Sequence, residues 1–123
     1  MIVGLGIDIV DIERIQLKLE NNSALKDHIF SKSEISYCER QSNKMEHYAA
    51  RFAAKEALLK ALGSGLNSEI ILNQAEIINE LSGKPYFNFI DDCKTFIDLN
   101  NYTILVSLSH TKTTACAFVI LEK

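Results

Sequence analysis

The sequence predicts an α+β domain, with helices packed on an antiparallel-rich sheet. Three observations carry that expectation. Strand-like runs lie at both ends of the chain, at 2–10 and at 102–121, and the strongest helical segment, 48–62, lies between them. Strands and helices do not alternate as a doubly wound parallel sheet requires. The chain has 123 residues, 47% apolar and 24% charged, the ordinary composition of one globular domain. It shows no repeat, low-complexity tract or linker, so one domain over 1–123 is expected.

Residues 2–10 read as a strand, with Val3, Leu5, Ile7 and Ile9 on one face and Ile2, Gly4, Gly6, Asp8 and Val10 on the other. Two glycines on one face indicate a close approach there, beside a carboxylate. Asp11 stands where a helix cap belongs, and Ile12, Ile15 and Leu19 follow as an inner stripe. Arg14 and Lys18, four apart, form a basic ridge on another face of that helix. Phe30-Ser31-Lys32-Ser33-Glu34-Ile35 reads as a helix start, with Ser31 and Glu34 as a capping box and Phe30 stapled to Ile35.

Residues 48–62 contain six alanines and no breaker, so they read as a helix with a narrow face that permits close packing. Gly63 ends it, and Gly63-Ser64-Gly65 reads as a turn. Ala75–Leu81 and Tyr86–Ile90 flank the SGKP turn as a hairpin. Residues 91–99 fit a short helix with Phe96 and Leu99 inward, and Tyr102–Ser109 and Thr114–Leu121 are two further strands.

Composition also excludes function classes. There are 13 basic and 16 acidic residues, a net charge of −3, which argues against general nucleic-acid binding. Residues 1–63 carry nine basic and nine acidic residues, and 64–123 carry four and seven, so any basic patch belongs to the first half. No segment is apolar enough to span a bilayer, and the start MIVGLGID has no basic leader. Cys38, Cys93 and Cys116 form no CxxC pair. They read as small buried residues in a reducing compartment, which places the chain in the cytoplasm.

Few polar residues suggest chemistry. Asp8 and Glu56 are hard carboxylates, and a pair of that kind suits Mg²⁺ with waters and phosphates. Lys60, one helical turn from Glu56, can meet a phosphate, Arg51 can join the same rim, and His110 closes a strand at a cleft. Each residue has a plainer reading. Glu56 and Lys60 equally form a surface ion pair, Asp8 equally opens the turn into the next helix, and His110 equally satisfies a loop carbonyl. His28 and His47 have no local partner pattern and read as surface residues. No Walker A loop, GxGxxG, GxSxG, HExxH or paired-cysteine motif is present.

The blocks GIDIVDIERI at 6–15, IFSKSEISYC at 29–38, ARFAAKEALLKALGSG at 50–65, SGKPYF at 82–87 and VSLSHTKTTACAFVI at 106–120 occur in this order. Together they closely resemble the holo-acyl-carrier-protein synthases, the small bacterial branch of the 4′-phosphopantetheinyl transferases. Two positions depart from the family pattern: Thr114 stands where an aromatic is frequent, and the tryptophan common before the GKP hairpin is missing.

The resemblance implies a single phosphopantetheinyl transferase domain. It would move the phosphopantetheine arm of coenzyme A onto a serine of apo acyl carrier protein and release adenosine 3′,5′-bisphosphate. It implies Mg²⁺ on Asp8 and Glu56, Lys60 beside a transferring phosphate, and Arg51, Lys60 and His110 in contact with coenzyme A. For the general base toward the serine our choice is Glu56, directly or through a metal-bound water. It also implies a homotrimer with active sites between subunits. Carrier proteins in these reactions are acidic, so Arg14 and Lys18 become the expected docking ridge. Two rivals remain: a non-catalytic carrier-binding module, and a Mg²⁺-dependent hydrolase of the coenzyme A pyrophosphate.

Overall fold

A computed structural model describes residues 1–63 and 70–123. The turn expected at Ser64 and Gly65 lies outside the described residues. Strand β1 (Ile2–Asp11) is followed by helices α1 (Ile12–Asn21), α2 (Leu25–Ile29), α3 (Lys32–Glu39) and α4 (Lys44–Leu62). A 3₁₀ turn, Leu72–Gln74, then leads into β2 (Ala75–Asn79), β3 (Pro85–Phe89), α5 (Asp91–Leu99), β4 (Thr103–His110) and β5 (Thr114–Glu122). The strands form an antiparallel three-stranded sheet in the order β1-β5-β4 and a separate β2-β3 hairpin.

The long helix α4 lies across the three-stranded sheet, and the glycines of β1 make that possible. A Cβ on Gly6 would stand 1.8 Å from the carbonyl oxygen of Ala57, and one on Gly4 would stand 2.2 Å from that of Ala61. The close approach announced by the two glycines is therefore made by helix backbone. Across the sheet, Ala117 and Val119 sit opposite Asp8 and Gly6 in register, and both are buried against α4. Their small or branched side chains complete the seat for the alanine face of the helix.

This packing turns the other face of β1 outward. Val3, Leu5, Ile7 and Ile9 are 49–70% exposed in the single chain. Phe118 and Leu105, level with them on the neighbouring strands, extend the same apolar face.

Helix α1 buries Ile12, Ile15 and Leu19 as the spacing requires. Asp11 holds the N-cap position without a side-chain cap bond; the chain is instead fastened by the Ile12 amide donating to the Thr113 carbonyl. The capping box of α3 forms as expected. The Glu34 amide donates to Ser31 Oγ at 3.1 Å, and the Ser31 amide donates to Glu34 Oε1 at 3.0 Å. Gly63, at φ 71°, closes α4 in the left-handed conformation glycine favours.

Three boundaries or faces differ from expectation. Helix α4 begins at Lys44, a full turn before the alanine-rich segment, because Tyr48 docks its ring on Phe30 (centroids 5.0 Å apart) and its hydroxyl on Glu39. Helix α2 carries only a short apolar pattern and was not anticipated. Leu99 is 78% exposed, and α5 instead buries Cys93 and Ile97. That i, i+4 pair sets the inner face, and Leu99 falls outside it.

The largest surprise is inside. Lys55 and Glu34 form a salt bridge of 2.7 Å with both side chains wholly buried. Lys55 Nζ also donates to the carbonyls of Leu72 and Ala75, and Glu34 Oε2 accepts from the Ile77 amide. Three elements, α3, α4 and β2, are pinned at one point. Because Lys55 precedes Glu56, the pin also sets the rotation of α4 about its axis and so the direction in which Glu56 points.

Candidate active site

The strand and the helix bring Asp8 and Glu56 to one cavity. Its volume is about 520 Å³, and Arg14, Lys18, Phe52 and Thr114 line it with them. Asp8 sits on the glycine-bearing face of β1, where the close seat of α4 leaves it beside the helix. Its side chain is 15% exposed. Glu56 projects from α4 into the same space. Burial first, and then the Asp8 carboxylate, push the Glu56 carboxyl above its ordinary value; Lys60 and Lys18 offset part of that rise.

Lys60 does not pair with Glu56, its neighbour one turn earlier. Its Nζ donates to Asp8 Oδ1 at 3.0 Å and to the Ile7 carbonyl at 2.9 Å. Lys60 therefore forms its ion pair with Asp8, which gathers two carboxylates and one ammonium in one cluster.

The donor set fits a hard divalent ion. Two carboxylates face one cavity that has room for water, and burial first, then the neighbouring Asp8, holds the Glu56 carboxyl above its ordinary value. Among the described residues there is no group of three or more His, Cys, Asp or Glu side chains that could hold a metal. Two carboxylates with waters and phosphate oxygens are the usual Mg²⁺ arrangement.

Arg14 and Lys18 stand exposed on α1 at the wall of the cavity. A second, largely apolar cavity of about 450 Å³ adjoins it and shares Ile15, Lys18 and Phe52. The site thus combines two acids, an ammonium, a basic ridge and an apolar hollow.

Comparison with known proteins identifies the family. Residues 4–118 match the family model of the 4′-phosphopantetheinyl transferase superfamily. The chain is 47% identical over 127 residues to a holo-[acyl-carrier-protein] synthase of Cytophaga hutchinsonii, covering 100% of this chain and 99% of the relative. The crystal structure of the holo-[acyl-carrier-protein] synthase of Neisseria meningitidis superposes with a TM-score of 0.92 at 30% identity, over the whole of both chains. That of Bacillus anthracis, a complex with coenzyme A, superposes with a TM-score of 0.81 at 33% identity, over 98% of this chain and 96% of the other.

The chain belongs to the 4′-phosphopantetheinyl transferase superfamily. Within the superfamily it groups with the holo-acyl-carrier-protein synthases, and its α+β fold is theirs.

For a phosphopantetheinyl transferase of this kind, the remaining expected residues fall in a second place. Arg51 does not join the rim of the Asp8–Glu56 cavity. Five residues advance a helix by about 500°, so Arg51 points about 140° away from Glu56. It is buried at 2% exposure, donates from Nη2 to Asn79 Oδ1 at 2.7 Å, and lies 4.3 Å from the centre of the Tyr37 ring. Its Nε is buried without a partner among the described residues.

His110 is near this second cluster. Its ring lies 5.9 Å from that of His47, which in turn stands edge-on to Tyr37 at 5.6 Å. His47 is therefore no plain surface residue, whereas His28 is exposed as expected. Burial first, then Arg51 and His110, lower the His47 pKa, and Glu46 offsets part of that fall. The sequence gives no local signal for this, because the four residues come from α3, α4 and β4.

Thr114, where the family often has an aromatic, lines the Asp8–Glu56 cavity itself. The departure thus falls at the site wall, where Thr114 presents a smaller and more polar side chain than an aromatic would.

Proposed function

We propose that this chain transfers the 4′-phosphopantetheine arm of coenzyme A to a serine hydroxyl of an apo acyl carrier protein and releases adenosine 3′,5′-bisphosphate. The observation that carries the reading is that Asp8 and Glu56 face one cavity walled by Arg14 and Lys18, with the Lys60 ammonium seated on Asp8, in a chain of the holo-acyl-carrier-protein synthase group.

The serine oxygen attacks the phosphorus that carries the pantetheine arm. The bond from that phosphorus to the bridging oxygen breaks, and the bisphosphate leaves with the electron pair. Glu56, directly or through a metal-bound water, takes the serine proton. Asp8 and Glu56 would hold Mg²⁺, which when bound neutralises charge on the pyrophosphate oxygens. Lys60, seated on Asp8, supplies the ammonium for the transferring phosphate. Arg14 and Lys18 attract the acidic carrier.

The second cluster fits an active site shared between subunits. Arg51 and His110 are expected to contact coenzyme A, yet they do not line the Asp8–Glu56 cavity of their own chain. A homotrimer in which one protomer supplies the acids and the next supplies Arg51 and His110 accounts for both facts. The exposed stripe Val3-Leu5-Ile7-Ile9 with Phe118 is an apolar face of the kind that subunit contacts cover. A cytoplasmic location accords with Cys38 and Cys93 as buried free thiols and with the lack of any described helix long and apolar enough to cross a membrane.

Mass spectrometry after incubation with coenzyme A, Mg²⁺ and an apo carrier protein tests the reading. The expected result is a carrier heavier by one phosphopantetheine arm. Coenzyme A consumed without that adduct would make the protein a pyrophosphate hydrolase. Neither event, with complex formation retained, would make it a carrier-binding module.

A further inference from the structure

Lys60 has two carboxylates within its reach and has taken one. It lies one helical turn after Glu56, yet its ammonium bonds Asp8 Oδ1 and the Ile7 carbonyl. No hydrogen bond or ion pair to Glu56 is formed among the described residues. The free protein thus holds one neutralised acid and one open acid in the same cavity. A divalent ion needs both acids and would meet an ammonium already seated on one of them.

We propose that Lys60 is a placeholder cation: it occupies Asp8 in the free enzyme and yields that carboxylate to the divalent ion as its ammonium turns to the coenzyme A pyrophosphate. This rests on the proposed transfer reaction, and it assigns Lys60 a role before chemistry begins. Three features of the site support it. The Lys60 side chain is 55% exposed, so it can swing without breaking core packing. The Asp8 side chain is only 15% exposed, so an unpaired carboxylate there would be costly, and the ammonium removes that cost. Two cations at one carboxylate repel each other, so seating the ion and releasing Lys60 are one exchange.

The exchange makes the two ligands cooperate. Coenzyme A draws Lys60 away from Asp8 and so tightens the ion. By reciprocity, the ion tightens coenzyme A by the same factor. Part of this coupling persists without Lys60, through direct contact of ion and phosphate, so removal of the ammonium should reduce the coupling and not abolish it.

The test measures ion binding without turnover. Wild type, Lys60→Met and Lys60→Arg are titrated with Mn²⁺ in the absence of coenzyme A, free ion is followed by electron paramagnetic resonance, and Mg²⁺ is used to displace it. Methionine keeps an unbranched stem and removes the charge. Lys60→Met should bind the ion at least about tenfold more tightly, the lower bound set by deleting one unit charge a few ångströms from a divalent ion at the dielectric of bulk water. Lys60→Arg should remain within about twofold of wild type on the same electrostatic ground. Lys60→Met should nonetheless transfer phosphopantetheine more slowly than wild type, a split that a merely structural lysine would not produce.

Equal or weaker ion binding by Lys60→Met overturns the inference. So does a gain that is undiminished when Asp8→Asn is added, because the ammonium would then act on the ion or on Glu56 and not through Asp8. If wild type transfers the arm and the gain is missing, the placeholder role alone falls. If the gain is present and wild type fails to modify any carrier, the transfer reading falls and the cation exchange stands.

Discussion

Replacing Lys55 by methionine separates burial from pairing at the centre of the fold. The substitution nearly conserves volume, so it opens little cavity. It leaves the Glu34 carboxylate without its ammonium at a position with no solvent access, and it strips the Leu72 and Ala75 carbonyls of their shared donor. Breaking one side of a buried pair costs about 3–5 kcal/mol. For a chain of this size each kcal/mol moves the melting temperature by roughly 3–5 °C, so a fall of about 10–20 °C is expected. Adding Glu34→Gln removes the stranded charge and should restore roughly half of the loss. Differential scanning calorimetry of both variants and of Glu34→Gln alone, at one protomer concentration, gives the double-mutant cycle. A Lys55→Met variant that melts within about 3 °C of wild type would refute the reasoning, because that is under 1 kcal/mol for a pair assigned several. So would a double variant less stable than Lys55→Met. The same pin sets the rotation of α4, so residual transfer by the folded single variant should also drop.

Glu56→Gln should lose roughly two orders of magnitude or more in transfer rate, since it keeps the shape and removes a ligand and base. The metal-free form of that variant should be more stable than wild type at neutral pH. A carboxyl whose pKa is raised on folding contributes stability below its unfolded value, and that contribution is lost as pH rises through the folded one, so the difference between the two proteins should vanish under acid. For the same reason Mg²⁺ affinity of wild type should fall as pH is lowered through the raised Glu56 pKa, measurable by calorimetric titration. Gly6→Ala would set a Cβ 1.8 Å from the Ala57 carbonyl oxygen; the helix must retreat, at a cost of about 3 kcal/mol or more, and unfolding in urea would show it. Arg14→Glu with Lys18→Glu should raise the carrier Michaelis constant, leave that for coenzyme A unchanged, and flatten the salt dependence of the rate. Wild-type carrier kinetics in that double variant at low salt would remove the ridge from docking.

Periodicity alone determined the inner stripe of α1, the capping box of α3, the glycine end of α4 and the hairpin around SGKP. These rest on contacts a few residues apart, which backbone geometry makes nearly independent of the rest of the chain. The ordered motif blocks further marked Asp8, Glu56 and Lys60 as candidates for one site. Tertiary structure decided which face of each element is covered, and with what. The glycine face of β1 turned inward because only there can α4 reach strand backbone, and that left four aliphatic side chains outside. It matched Lys60 to Asp8, 52 residues away, in preference to Glu56 in the next turn. It sent Arg51 to Tyr37 and Asn79, off the Asp8–Glu56 rim. It also buried Lys55 beside Glu34, two charges that read from sequence as an ordinary helix residue and an ordinary cap. A period fixes which residues share a face. Which face is desolvated, and which distant charge meets it there, depends on how the elements stack.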